Sequence, residues 1–243
     1  MKYVGSKARL SKQLAPIIQS YVNLRCLHDG NGYWEPFVGG ANMIDKIKCY
    51  RKCGSDTHPY LIALLNHIQQ TIDDLPNTIT KEEYNAVKTN PENYPDWYVG
   101  LVGFCASYNG KWFGGYANGV KTKIGTVRNY TDEAIKNLKK QAPHLKGTKF
   151  FCNDYTRGSS AEGYVIYCDP PYRDTTKYAV DDFSYDEFYA WCKNMANRDN
   201  IVLVSEYWMP EDGFECIWSG ELRCTLDKSS RSNKVEKLYL CKG

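Results

Sequence analysis

The 243-residue chain has no apolar run long enough to span a bilayer. Its first residues, Met1-Lys2-Tyr3-Val4-Gly5-Ser6-Lys7, hold no hydrophobic stretch of the secretory kind. A membrane partner and a secreted, disulfide-stapled domain are therefore not expected, and a cytoplasmic setting is. Metal-type cysteine pairs are missing too: ten cysteines lie scattered from Cys26 to Cys241 without a C-x2-C pair, which suits reduced thiols. Cys49 and Cys53 have helix-like spacing, but no second His or Cys pair completes a set of four zinc ligands, so they are read as packing residues and no metal is expected. An excess of charge of either sign is lacking, since 31 Lys and Arg against 28 Asp and Glu leave a net +3, and this total points to no partner. Internal repeats and low-complexity tracts are also lacking. The length suits one large domain, or one domain carrying an insertion.

What is present is concentrated in four residues. The apolar run Tyr164-Val165-Ile166-Tyr167-Cys168 is too short for a helix and reads as a buried strand. Asp169-Pro170-Pro171-Tyr172 therefore stands at a strand's carboxyl end, where open α/β sheets bind ligands. Both prolines lack an N–H and hold φ at about −65°, so the turn displays carbonyl oxygens among few competing donors. A carboxylate beside a carbonyl suits an exocyclic amine, because both hydrogens can be held while the nitrogen lone pair is freed for attack. Tyr172 offers a flat face to the heterocycle carrying that amine. The plainer reading is a turn that ends a strand, but such a turn needs neither the aromatic nor the acid.

Apolar spacing at Leu14, Ile17, Ile18 and Val22 predicts a helix over 10–22. Tyr33 to Met43 predicts a short strand, a glycine turn at Gly39-Gly40, and a helix running through Ile44 and Ile47, whose amino end would add a favourable dipole for a ligand. Asp56 falls near the end of a second strand, where dinucleotide folds place an acid on ribose hydroxyls. The competing role for Asp56 is a cap for the helix of Tyr60-Leu61-Ile62-Ala63-Leu64-Leu65. From Asn66 to about His144 helical patches alternate with Pro76, Pro91 and Pro95, the texture of an inserted module. Strand patterns resume at Thr148-Lys149-Phe150-Phe151-Cys152 and recur at Ile201-Val202-Leu203-Val204-Ser205. Runs 214–218 and 235–240 are expected to pair as an antiparallel edge.

Charge is unevenly distributed. Between Lys111 and Lys149 nine cations, Lys111, Lys121, Lys123, Arg128, Lys136, Lys139, Lys140, Lys146 and Lys149, face only Asp132 and Glu133. Solvated helix faces account for Lys136, Lys139 and Lys140. The stretch Lys111-Trp112-Phe113-Gly114-Gly115-Tyr116-Ala117-Asn118-Gly119-Val120-Lys121 interleaves cations, aromatics and glycines, a composition that can approach a polyanion and stack on bases. The competing role for its aromatics is the small core of the inserted module.

Taken in order, Lys2-Tyr3-Val4-Gly5-Ser6-Lys7, Glu35-Pro36-Phe37-Val38-Gly39-Gly40 and Asp169-Pro170-Pro171-Tyr172, with Asp56, Asp154 and the tail 229–238, the chain resembles the Dam-like (D12 class) DNA adenine-N6 methyltransferases of compact phage and bacterial type. The resemblance implies a Rossmann-like α/β sheet, mostly parallel with an antiparallel edge strand, and an inserted helical DNA-recognition domain. The catalytic domain would then hold residues 1–65 and 145–243, and the recognition domain 66–144. It implies S-adenosylmethionine as cofactor: Tyr3 and Lys7 against the methionine part, Phe37, Gly39 and Gly40 at the turn beside it, Asp56 on the ribose, Asp154 near the adenine, and Asp169 close to the transferring methyl. Asp169, Pro170 and Tyr172 would hold the flipped target base. Double-stranded DNA would meet Lys111, Trp112, Phe113, Tyr116, Asn118, Lys121, Lys123, Arg128, Arg231 and Lys234. The family turn runs Phe-x-Gly-x-Gly, whereas here it is Phe37-Val38-Gly39-Gly40-Ala41, so the roles of individual glycines do not carry over. The resemblance is compatible with a bacterial or phage-infected cell, with either a restriction–modification setting and a cognate endonuclease as partner or an orphan role, and with a monomer or weak dimer.

The chemistry expected is base flipping followed by direct attack of adenine N6 on a sulfonium methyl, without a covalent enzyme intermediate. A cytosine-N4 methyltransferase shares the geometry but more often has serine at position 169. A protein-glutamine methyltransferase usually has asparagine there and needs no basic aromatic insertion. A DNA-binding relative that has lost activity is the alternative from a different class.

Overall fold

The computed structural model describes residues 1–25, 31–121, 124–173, 183–222 and 234–243. Seven strands form one mixed sheet in the order β5-β2-β1-β6-β7-β9-β8: β1 is Tyr33–Glu35, β2 Lys52–Asp56, β5 Lys149–Cys152, β6 Val165–Cys168, β7 Ile201–Glu206, β8 Phe214–Leu222 and β9 Lys234–Cys241. Counted in chain order within this sheet the strands run 3-2-1-4-5-7-6. The first five keep the doubly wound dinucleotide-fold order. The pairs β2–β5, β1–β6 and β6–β7 are parallel, while β9 runs antiparallel to both β7 and β8. This is the Rossmann-like sheet with the reversed edge that the sequence led us to expect.

The chain divides into two compact units, Met1–Lys12, Val38–Ile47 and Cys53–Asn153 in one, Gln13–Phe37, Lys48–Lys52 and Asp154–Gly243 in the other. The second contains β1, β6, β7, β8 and β9 with helices α1 (Ser11–Arg25) and α6 (Tyr185–Asn197). Ser184 caps α6 by accepting from the Glu187 amide, and Phe188, Trp191, Cys192 and Met195 repeat at helical spacing to form its buried face. Strand β6 reads as the sequence suggests: all four residues are buried, because parallel strands are covered on both faces.

The first unit contains β2, β5 and most of the helical segments. Helix α2 (Pro59–Ile68) follows β2, α3 (Lys81–Thr89) begins with a capping box between Thr80 and Glu83, α4 spans Asp96–Gly100, and α5 spans Tyr130–Leu145. Thr131, Ala134, Ile135, Leu138, Gln141, Ala142 and Leu145 form the buried stripe of α5. A two-stranded hairpin, β3 (Val120–Lys121) with β4 (Val127–Arg128), precedes it.

The helix expected through Ile44 and Ile47 does not form. No α-helix follows the glycine turn: Ile44–Lys46 forms a single 3-10 turn, and Ile47 is already extended. Ala41 sits at φ 55°, off the helical path. The Gly40 and Ala41 carbonyls accept from the Gln141 amide at 3.1 and 2.8 Å instead of from a following turn. The turn consequently has no helix dipole behind it. Among the described residues every cysteine is a free thiol, no metal-binding cluster is found, and no helix is long and apolar enough to cross a membrane.

Close packing in the second unit makes one position a sharp test. A Cβ on Gly158 would lie 2.1 Å from the ring of Trp34, which is itself buried and edge-on to Trp191. Gly158→Ala is therefore expected to lower unfolding stability in urea by about 1–3 kcal/mol, through overpacking. An unchanged midpoint would mean that the Trp34 pocket yields freely.

Candidate active site

In the second unit β1 and β6 lie side by side and parallel, with Tyr33 opposite Val165 and Trp34 opposite Ile166. Here the strand order reverses, and the crevice beyond the carboxyl ends is where doubly wound sheets bind ligands. Asp169-Pro170-Pro171-Tyr172 leaves β6 at this point. Asp169 is half-buried, and Pro170 and Tyr172 are buried. The Tyr185 hydroxyl donates to the Pro171 carbonyl at 3.1 Å and pins the turn. The Tyr172 hydroxyl donates to Glu236, and its ring meets Tyr207 edge-on with centroids 4.7 Å apart.

Behind the corner lies a layer of buried hydroxyl and carboxylate groups that sequence reasoning missed. Tyr33 donates to Glu35 at 2.6 Å, and Tyr167 shares a hydrogen bond of 2.7 Å with Ser205. Burial, followed by the charge of Asp169, holds the Tyr167 hydroxyl well above its ordinary pKa. Glu206, at the end of β7, is 3% exposed; its Oε1 accepts from the Tyr207 amide at 2.7 Å, and Oε2 has no hydrogen-bond partner among the described residues. Burial pushes its carboxyl up to about 7; the Tyr207 and Arg173 amides pull it down, and the charges of Glu236 and Asp169 add to the rise. The signal was available in part: Glu236 shares strand parity with the apolar Leu238, and an acid on the buried face of a strand has to be satisfied there.

Phe37 packs against Tyr155 and Phe188, with centroids 5.4 and 5.7 Å apart. Asp154 is exposed and caps a 3-10 turn at Tyr155–Gly158, accepting from the Thr156 amide at 2.9 Å and its hydroxyl at 2.7 Å.

In the first unit Asp56 ends β2 with both carboxylate oxygens engaged. Oδ2 accepts from the Gly39 amide at 3.1 Å and Oδ1 from the His58 amide at 3.0 Å. Burial raises its carboxyl and these amides pull it down. Asp56 does not cap α2: His58 does, its ring accepting from the Leu61 amide. The Asp56 carboxylate thus ties the glycine turn to the residue that caps α2. Gly39 has φ 46°, and a Cβ there would stand 3.0 Å from the Tyr3 ring; one on Gly40 would meet the Tyr3 Cβ at 2.7 Å. The glycines therefore admit Tyr3, bringing together Tyr3, Gly39, Gly40 and Asp56. Lys7 opens a 3-10 turn capped by Ser6 and is half-buried.

The aromatics of the interleaved segment pack against other residues of the first unit. Trp112 stacks on Tyr60 at 5.4 Å, meets His58 at 4.3 Å and Phe104 at 4.8 Å, and occupies the space a Gly103 side chain would take. Phe113 and Tyr116 both lean on Tyr84, and the Tyr116 hydroxyl donates to the Ile79 carbonyl at 2.6 Å. Asn118 donates to Asp132 at 3.3 Å. Arg128 makes a bidentate pair with Glu133 at 2.6 and 2.7 Å and lies over the Tyr130 ring. Lys111 and Lys121 are exposed, as are Ile124 and Val127 of the hairpin. Lys123 and Arg231 lie outside the described residues, and of Lys234 only the backbone is described.

Comparison with known proteins bears on this arrangement. Residues 3–97 match the family model of the D12 class N6 adenine-specific DNA methyltransferases. The matched stretch holds Tyr3, Lys7, Phe37, Gly39, Gly40 and Asp56, and ends before the Asp169 corner. Type II methyltransferase M.FokI of Planomicrobium okeanokoites is 23% identical over 198 residues, covering 72% of this chain but 29% of that protein, so the chain spans under a third of the relative's length. Among solved structures, the rRNA methyltransferase aviRa from Streptomyces viridochromogenes aligns over 94% of this chain and 83% of its own, with TM-score 0.43 and 11% identity.

The raised carboxyl of Glu206 has a consequence for stability. Between its ordinary 4.5 and about 7 the folded protein holds a proton that the unfolded chain releases, so this group's contribution is fully present at acid pH and is lost as pH rises through about 7. Glu206→Gln is expected to remove roughly 2–3 kcal/mol of that pH dependence between pH 5 and pH 8 in urea unfolding. Identical pH dependence in variant and wild type would show that Glu206 titrates normally.

Proposed function

We propose that the chain transfers a methyl group from S-adenosylmethionine to N6 of an adenine turned out of DNA. The observation that carries this reading is the Asp169-Pro170-Pro171-Tyr172 corner, standing directly after β6 where the strand order reverses. The match of residues 3–97 to an adenine-specific family agrees with it.

The first unit suits the cofactor. A half-buried carboxylate fixed by two amides keeps lone pairs to spare, so Asp56 can accept from a ribose diol, with Tyr3 and the glycine turn beside it and Lys7 as the cation for the cofactor's carboxylate. Bound there, S-adenosylmethionine supplies a sulfonium methyl as the electrophile. At the corner, Asp169 and the Pro170 carbonyl accept the two amine hydrogens and so expose the nitrogen lone pair, while the Tyr172 ring offsets the few kcal/mol needed to unstack the base. Catalysis then rests on positioning and on carboxylates facing a nitrogen that gains positive charge. For the nucleic acid, residues 66–144 serve as the recognition module. The exposed hairpin side chains Lys121, Ile124 and Val127 meet DNA, and Trp112, Phe113 and Tyr116 stiffen the platform that presents them.

Asp169→Ala is expected to reduce transfer of labelled methyl groups to DNA by at least about a hundredfold, the cost of removing a preorganised charge partner, with little change in melting temperature. Near-wild-type turnover would remove Asp169 from the chemistry, and modified-base sequencing of the wild-type product identifies the methylated base. Asp56→Ala is expected to weaken S-adenosylmethionine binding, measured calorimetrically without DNA, by about 1–3 kcal/mol. Unchanged affinity would leave Asp56 only its bond to the glycine turn.

A further inference from the structure

We propose that Glu236, on the reversed strand β9, is the positioning residue that sets the ring of Tyr172 for stacking on the target base; the inference rests on reading the corner as a base-binding site. Glu236 is 1% exposed and accepts the Tyr172 hydroxyl across 64 residues of chain. The antiparallel register pairs Ser205 with Leu238 and Glu206 with Lys237, which brings position 236 level with Tyr207, just beyond the end of β7. Tyr207 is the residue that meets the Tyr172 ring edge-on at 90°.

The two contacts divide the work. A hydroxyl lies on the long axis of its ring, so the bond to Glu236 fixes where that axis points but leaves the ring free to spin about it. The edge contact with Tyr207 fixes the spin. A tyrosine has two side-chain torsions, and here each is held by a different strand end. Burial, with Asp169 and Glu236 adding to it, holds the Tyr172 hydroxyl well above its ordinary pKa, so the donor keeps its proton. Burying a carboxylate is costly, and a hydroxyl donor to Glu236 lowers that cost. A tyrosine needed only for packing would not require a buried acid to aim it.

The test compares Glu236→Leu, Glu236→Gln, Tyr172→Phe and the double variant Tyr172→Phe/Glu236→Leu. Methyl transfer to DNA is measured per S-adenosylmethionine-binding site, so that misfolded protein is not counted. Glu236→Leu and Tyr172→Phe are each expected to lower kcat about 10- to 100-fold, the penalty of a misplaced binding group, with cofactor affinity retained. The double variant is expected to lose no more than either single change, because both remove one interaction. Glu236→Gln, which still presents an acceptor oxygen, is expected to restore most of the rate. Wild-type kcat per binding site in Glu236→Leu, additive losses in the double variant, or no rescue by glutamine would each overturn the proposal; should Glu236→Leu not fold, Tyr172→Phe and Glu236→Gln decide it. Wild-type protein that leaves DNA unmethylated would bring down the underlying reading, and this inference with it.

Discussion

The cost of burying a strand on both faces and both edges governs the arrangement around β6. Its residues Val165–Cys168 are none more than 2% exposed, and their backbone is paired with β1 on one side and β7 on the other. A strand so enclosed must end abruptly. Pro170 and Pro171 enforce that end, because neither can donate to a ladder. Asp169 is therefore held by backbone pairing of β6 at the boundary between a dry sheet and the crevice beyond it.

Burial of polar groups at that boundary sets a second constraint. Tyr33 with Glu35, Tyr167 with Ser205 and Tyr172 with Glu236 each place a hydroxyl on a partner inside the second unit. An unpaired hydroxyl or carboxylate at these depths would cost free energy, so each pair restricts the rotamers of both members. Glu206 and Tyr189 are exceptions, each with one buried oxygen unpartnered among the described residues, and burial raises the Glu206 carboxyl. A polar layer of this kind adds rigidity only to the extent that its members are satisfied.

The first unit solves a different problem. Helices α2 and α5 bury full apolar faces, whereas the shorter α3 and α4 bury fewer residues, and aromatic contacts add to them: Trp112 against Tyr60, His58 and Phe104, and Tyr84 between Phe113 and Tyr116. Aromatic rings packed this way hold a loop-rich segment in one conformation at low entropic cost. Of the hairpin's described cations, Lys121 is exposed, and Arg128, also exposed, is bound to Glu133. An exposed pair of that kind contributes little to stability.

The local signals in the sequence carried far. Apolar runs of strand length located β6, β7 and the β8–β9 edge, and helical spacing located α1, because each pattern reflects burial that the element itself requires. The Asp-Pro-Pro-Tyr corner was legible because proline fixes its backbone whatever surrounds it. Other features needed the folded chain. The helix expected after Gly39-Gly40 shrank to a 3-10 turn because Gln141, a hundred residues away, takes the carbonyls such a helix would use. Asp56, for which the sequence offered a ribose contact or a helix cap, bonds the Gly39 amide because the fold brings that turn within reach, and the partner of Tyr172 was set by the register of β9. Periodicity records how much of a residue is buried, whereas the identity of what it touches depends on strand order and register, which only tertiary packing decides.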